Sequence, residues 1–576
     1  MKIAAVLTLA FPTVLVTQAA TMAANAVPAP GCPVPLPVSQ VTEGMNGWGL
    51  TVSKGTTPQR FTVKVQGVLA DWIAPGIDLI IVDASSPALD AAGAIWSGMS
   101  GSPVYAKNGR LIGAVSYAFS GTSKLAGLTP AQAMLDIWNR PAQARTLALK
   151  TRVQLPKELQ QKIVSRDLVS AQVAAQGMEM LPLVHGVSGV SQTRIDQLNA
   201  RAEQSGSDVR LIKMAATSGT PAPAGDAVPG GNFGALLSYG TVTEGAVGTT
   251  TAVCEGRALA FGHPYYDQGE DMRFAAVSGN VIAVVPDPNF GPYKMASPGG
   301  VLGTVTQDRH AGISADLGAG PPTIPVTARS SAAGATRTDT TYVVTPRYLP
   351  ELAATHVWAG LDRARDRSGA GTATASWTIR GTAGGEPWQV TLGDRYVDSW
   401  DATYMAADGV YASLDILLNN KYTPVEFTDV QVTDEVNDVY RPYTVSQILI
   451  RSGDEWVVYD PANPLNITPG EDLVFKVRAT GYQAPPTDVE MRVRVPEEAA
   501  GGYGEIHLVG GRDWWFDPNE RAGSFSELLA RMEQAPRNDV LYGTMSYYHL
   551  GGMNTTFEAS VDGVIGGDIS IQFTVD

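Results

Sequence analysis

The chain is 576 residues long, more than one hydrophobic core usually serves, and that length alone suggests roughly three or four domains. Hydrophobic residues make up 44% and charged residues 17%, which argues against a long disordered chain. The formal net charge is −15 with no Lys/Arg cluster, so neither nucleic acid nor an anionic membrane surface is expected as a partner.

The N-terminus reads Met1-Lys2, an apolar run from Ile3 to about Val16, then small residues ending Ala24-Asn25-Ala26. That is the pattern of a secretory signal peptide over residues 1–26, cleaved after Ala26, which predicts a secreted or extracytoplasmic protein. Pro12 and the shortness of the run disfavour a membrane anchor, and no later stretch approaches the ~20 apolar residues a spanning helix needs. Cys32 and Cys254 are the only cysteines, too few for a four-cysteine zinc site, and in an oxidising compartment they either bridge or stay as two buried thiols. No metal or cofactor is expected.

The 61 glycines and 38 prolines, spread among short Val/Thr/Tyr-rich runs, predict a mainly β protein. Residues 27–140 read as strands: Phe61, Val63 and Val65 alternate with Thr62, Lys64 and Gln66, and Ile77 to Val82 is almost wholly apolar. Asn108-Gly109 marks a hairpin between Val104–Ala106 and Leu111–Tyr117. Thr129-Pro130-Ala131-Gln132 reads as a helix start with Thr129 as the cap, running to about Trp138. Residues 141–231 are a mixed helical insert, with a helix over 191–202, and a Pro/Gly/Ala/Ser-rich linker. Strand patterning resumes over 232–345, with a turn at Glu255-Gly256 leading into Ala258-Leu259-Ala260-Phe261-Gly262-His263. Residues 346–576 carry alternating strands such as Leu473, Phe475, Val477 and Val489, Met491, Val493, the pattern of a β-sandwich. One amphipathic helix over 524–534 has Ser524 and Glu527 as a capping box.

The sharpest chemical signal is Gly98-Met99-Ser100-Gly101-Ser102-Pro103. A serine hydroxyl is a weak nucleophile at neutral pH, so a hydrolase must expose it on a constrained turn beside a base and aim backbone amides at the developing oxyanion. Gly98 permits an inward-pointing amide, Gly101 clears space for the acyl group, and Pro103 sets the exit into a strand. The base must come from six histidines, at 185, 263, 310, 356, 507 and 549. His263 is the first choice, because it ends an apolar strand between a glycine and a proline and so has little freedom to drift. His185 and His310 are the alternatives; His356, His507 and His549 read as ordinary core or surface residues.

The turn resembles the chymotrypsin-like sequence Gly-Asp-Ser-Gly-Gly-Pro at four of six positions, and by that analogy the amides of Gly98 and Ser100 form the oxyanion hole. Together with Gly93-Ala94-Ile95-Trp96-Ser97, Asn108-Gly109-Arg110-Leu111-Ile112-Gly113 and Ala260-Phe261-Gly262-His263-Pro264, it resembles the SpoIVB-type serine peptidases, over about residues 44–138 and 233–328. The resemblance implies a peptidase β-barrel region with Ser100 as nucleophile, His263 as general base and Asp83 as the acidic partner. The sporulation protein itself has its histidine segment before the serine, whereas here Ser100 comes first, which implies a permuted arrangement of the two halves. No PDZ domain is recognisable. Asp308, beside Arg309, and Asp267, four residues after His263, are the other candidate acids, read as an ion-pair member and a turn cap.

The expected protein is thus an exported serine endopeptidase acting on a protein or peptide substrate through an acyl-enzyme on Ser100. Its C-terminal region would bind a protein or cell-wall partner. Two rivals remain open: a non-catalytic exported scaffold with a peptidase-like fold, and a peptidase restricted to processing itself.

Overall fold

The computed structural model describes residues 31–119, 121, 123–140, 151–182, 184–204, 210–266, 272–287, 291–513, 517–520, 522–548, 550 and 553–576. The expected signal peptide, Asp267 and His549 lie outside them.

The chain is mainly β, and its first unit is a closed barrel. Six strands follow in order: β1 (Asn46–Thr51), β2 (Gln59–Ala74), β3 (Ile77–Ser85), β4 (Pro103–Ala106), β5 (Leu111–Phe119) and β6 (Leu125–Pro130). Their hydrogen-bonded order is β4-β1-β2-β3-β6-β5, all antiparallel, and β5 pairs back onto β4 to close the ring. The alternation read in β2 is real: Phe61, Val63 and Val65 are buried inside, among Ile80, Val82, Trp96, Met99 and Val115. Strand β3 is covered on both faces, since Leu79 and Ile81 join a second cluster outside the ring. Asn108-Gly109 makes the β4–β5 turn with Gly109 at φ +82°.

Two short strands, β7 (Arg152–Val153) and β8 (Met178–Met180), extend the sheet from β5. After β9 (His185–Val187) and the helix Gln192–Gln204 comes β10 (Leu211–Lys213).

A second ring follows: β11 (Asn232–Gly240), β12 (Glu244–Cys254), β13 (Arg257–Ala260), β14 (Phe274–Val285), β15 (Tyr293–Arg309) and β16 (Gly312–Leu317). The order β12-β13-β16-β15-β14-β11 is antiparallel throughout, and β11 pairs with β12 to close it. Glu255 and Gly256 both have positive φ in the β12–β13 turn. A disulfide joins Cys32, ahead of the first barrel, to Cys254 at the end of β12.

The second ring is not isolated. Past a register shift between Leu236 and Ser238, β11 keeps Ser238 opposite Glu244 of β12 but exchanges β14 for β18 (Ala335–Val343) on its other edge. From there an open sheet continues through β17 (Ile324–Ala332), β21 (Val425–Asn437), β19 (Gly371–Ala383) and β20 (Glu386–Asp398). Helices Leu349–Arg365 and Ala402–Leu418 cover it, and one apolar cluster runs from Val187 to Met532. Pairing and core are therefore continuous across residue 345, where the sequence suggests a division. A separate cluster begins at Val445, enclosed by two five-stranded sheets, one holding Asp472–Gly481 and Thr487–Arg494 and the other Tyr503–Gly510 and Val540–Tyr547. The helix Phe525–Glu533 buries Leu528 and Met532; Ser524 caps it, whereas Glu527 accepts from the amide of Gly523 and not from that of Ser524. No helix of the described residues is long and apolar enough to cross a membrane.

Candidate active site

The serine turn is built by local rules. The helix Pro87–Ala92 begins at Ser86, whose hydroxyl accepts from the Leu89 amide, and ends at Gly93 with φ +76°. Main-chain bonds from Met99 to Trp96 (3.0 Å) and from Ser102 to Met99 (2.8 Å) then wind residues 96–102 into consecutive turns. Gly98 (φ +98°) and Gly101 (φ +91°) take a backbone conformation that side-chain-bearing residues rarely adopt. Gly101 is required for space as well, because a Cβ there would lie 2.0 Å from the carbonyl oxygen of Thr249. Two bonds fasten the turn to β5, Gly101 N–H to Val115 O (2.8 Å) and Val115 N–H to Ser102 O (3.0 Å).

The second ring grips the same turn from the other side. Along β12, Thr249 N–H donates to Ser100 O (2.9 Å), its hydroxyl donates to Gly98 O (2.9 Å), and the Thr251 hydroxyl donates to Gly101 O (2.7 Å). Lys294 packs over Gly98; its backbone N–H donates to Ser97 O (2.8 Å) and its ammonium reaches Asn232, Gly248 and Thr249 at 3.3 Å. Burial pulls that ammonium's pKa down to about 7. Neither the threonine run nor Lys294 stands out in the sequence, since neither has chemical meaning until the two rings meet.

His263 comes from the second ring, just beyond β13. Phe261 and Gly262 both sit at φ +70°, an uncommon conformation for a bulky residue such as Phe261 and one that concentrates at functional sites. The turn sends the imidazole back to the serine: Nε2 lies 2.8 Å from Ser100 Oγ, and Nδ1 lies 2.7 Å from the carbonyl oxygen of Pro264. Both side chains are 0% exposed. A carbonyl can only accept, so Nδ1 carries the hydrogen in that contact. Burial drives the imidazole pKa down to about 4, which keeps the ring neutral and turns the Nε2 lone pair toward the serine hydroxyl.

The amides of Gly98 and Ser100 donate no hydrogen bond within the described residues, which leaves two unpaired N–H groups flanking the nucleophile.

The candidate acids fall elsewhere. Asp83 sits on β3 opposite Lys64, half-buried in a surface cleft shared with Trp48, Arg60 and Lys107, and makes no hydrogen bond to His263. Partial burial raises its pKa against the pull of Lys124 and Lys64. Asp308 is buried, but its carboxylate accepts the amides of Tyr265 (2.8 Å) and Tyr266 (2.7 Å), directly after His263 and Pro264. It therefore holds the loop and not the ring. The alternative bases are also apart from Ser100. His185 stacks on Tyr265 at 5.3 Å, His310 lies in the β15–β16 turn, His356 shares a 2.8 Å hydrogen bond with Thr341, and His507 is exposed near Asp568.

Residues 24–135 match the family model described as SpoIVB peptidase S55, a span that contains the whole first barrel and Ser100 but stops short of His263. No curated protein and no solved structure matches the chain.

Proposed function

We propose, from the match of residues 24–135 to the SpoIVB peptidase family model, that the chain hydrolyses peptide bonds by acyl transfer through Ser100 with His263 as general base. The observation that carries this reading is the 2.8 Å contact between Ser100 Oγ and Nε2 of a neutral imidazole whose other nitrogen is held by a carbonyl. As the Oγ–carbon bond forms, the hydroxyl proton passes to Nε2, and the unpaired amides of Gly98 and Ser100 receive the oxyanion. Nε2 then returns the proton to the departing amine as the C–N bond breaks. Water, deprotonated by the same nitrogen, releases the acyl group and restores Ser100. The Pro264 carbonyl takes the orienting place that a carboxylate holds in a Ser-His-Asp triad; it fixes the tautomer but adds no full charge to balance the imidazolium.

Export is part of the proposal, supported by the N-terminal sequence pattern and by the Cys32–Cys254 disulfide, a bond that persists in oxidising compartments. A non-catalytic scaffold is the second reading, favoured by the complete burial of Ser100. A fluorophosphonate probe separates the two. It should label the wild-type protein and neither Ser100→Ala nor, at a comparable rate, His263→Ala; no Ser100-dependent labelling, in the wild type or in any variant with the site opened, would leave the scaffold.

A further inference from the structure

With Ser100 and His263 both 0% exposed, part of the chain must cover the site. The second ring covers one side, and a further segment beside the site is traceable through main-chain hydrogen bonds. Strand β8 lies antiparallel on β5, with Phe119, Ala118 and Tyr117 opposite Met178, Glu179 and Met180. One residue later the ladder ends where Leu181 N–H donates to Ser116 O at 2.9 Å. Ser116 directly follows Val115, the residue bonded to the nucleophile turn, and its Cβ would lie 3.4 Å from a Cβ placed on Gly262, the residue before His263. Leu181 is therefore anchored between the two turns that present the serine and the histidine. Its side chain, 4% exposed, belongs to the same buried cluster as Trp96, Met99 and Val115, and at Pro182 the chain is exposed again.

An extended segment that joins a sheet edge through its main chain while seating a side chain in an apolar pocket is a general mode of peptide capture. Here the captured segment is covalently part of the protein. Its main-chain hold is short, although Met178 is also fully buried: β8 has three residues, its outer neighbour β7 has two, and the ion pair between Arg152 and Glu179 is largely solvent-exposed. Short ladders of this kind open locally at low cost.

We infer that residues 178–181 are an internal occupant of the peptide-binding edge of β5, so that the folded protein is self-occluded. Its substrate is an extended peptide that displaces this strand and seats an aliphatic side chain in the place of Leu181. The substrate part rests on the peptidase reading; the occupancy rests on the ladder alone.

The test uses the full chain with Leu181→Ala, which empties the pocket, and Glu179→Pro, which spoils the ladder opposite Ala118 and leaves Leu181 in place. The probes are a fluorophosphonate and a fluorescein-tagged peptide Met-Glu-Met-Leu, the latter titrated in a Ser100→Ala background. Freeing the edge should raise the labelling rate at Ser100 and tighten peptide binding by ~10-fold or more in each variant, in proportion to the population opened. If neither quantity changes in variants with a native near-UV spectrum, the self-occlusion is wrong, whether or not Ser100 labels. If the peptide binds more tightly but Ser100 never labels in any variant, the occluded edge stands and the peptidase reading falls. Should neither variant fold, hydrogen exchange on the unaltered protein decides. The amides of residues 179–181 should exchange well before those of β5, and equal protection would overturn displacement.

Discussion

Oγ1 of Thr129, on the strand that completes the first barrel, donates a 2.6 Å hydrogen bond to the carbonyl oxygen of Gly262, the residue before His263. The same hydroxyl shares a 2.8 Å bond with Ser116, so one buried side chain links the nucleophile's barrel, the peptide edge and the histidine turn. Thr129→Val keeps the shape and removes the tie. Leaving the Gly262 carbonyl unpaired should cost about 1–3 kcal/mol of stability, read from denaturant midpoints. The resulting drift of His263 should slow Ser100 labelling by ~10- to 100-fold, since small displacements of a catalytic group carry penalties of that order.

Asp308 and Asp83 should respond differently to the same change. Asp308→Asn offers one acceptor oxygen and an NH₂ group to two amides that now share a carboxylate, so the loop after His263 loosens. The turnover rate for a peptide substrate should fall ~10-fold or more with little change in KM, the signature of an interaction that matters to the reacting groups and not to substrate binding. Asp83→Asn should stay within about threefold of wild type by the same assay, because the ring nitrogen it would serve is already bonded to Pro264. An equally large loss in Asp83→Asn would contradict the geometry described for His263.

Burial sets the acid limb of the reaction. With the imidazole pKa drawn down to about 4, the free base persists well below the ~6.5 of an exposed histidine, so Ser100 labelling should hold through pH 5 and fail only near pH 4. The sign for stability follows from the same depression: between about 6.5 and 4 the unfolded chain binds this proton more readily, so the fold loses stability as the pH falls through that window. Leu181→Ala, by admitting water, should move the acid limb back toward ~6.5.

Asp434 gives the opposite slope. It lies on β21 opposite Ser330 of β17, 2% exposed, and burial raises its pKa from 3.8 to about 7 against a smaller opposing effect of the Ser330 hydroxyl. The folded protein holds this proton more tightly, so its contribution is full below pH 3.8 and is lost as the pH rises toward 7, by at most about 4 kcal/mol. In thermal melts Asp434→Asn should resemble wild type at pH 4 and exceed it at pH 8.

What the sequence discloses about this site is the part decided by backbone geometry. Gly98 and Gly101 stand out because a turn needing positive φ accepts little else, and Asn108-Gly109 announces its hairpin for the same reason. His263 is legible because histidines are few and this one closes an apolar strand. Roles that depend on which remote segments meet are hidden. Thr129 has every local mark of a helix cap, yet in the structure Pro130 holds that position and the hydroxyl spans to the other ring. Asp308 reads as half of an ion pair beside Arg309, and nothing in that reading discloses the two amides it gathers after His263. Residues 178–181 are too short a strand to show any periodicity, and only their place on β5 gives them meaning. The fold shows the same division: the strands themselves are written in alternating side chains, while the closure of the two rings depends on pairings between distant segments.

Strand β11 has a practical consequence for anyone dissecting this protein. Its first half is a stave of the ring that carries His263, and its second half is the root of an open sheet that continues to residue 437. A fragment ending near residue 345 would strip β21 from β17 and uncover Val326 and Ala328, inviting the exposed rim to stick to its own kind. A piece meant to keep this core whole should extend past residue 437, because the open sheet shares its apolar cluster with the ring that carries the histidine.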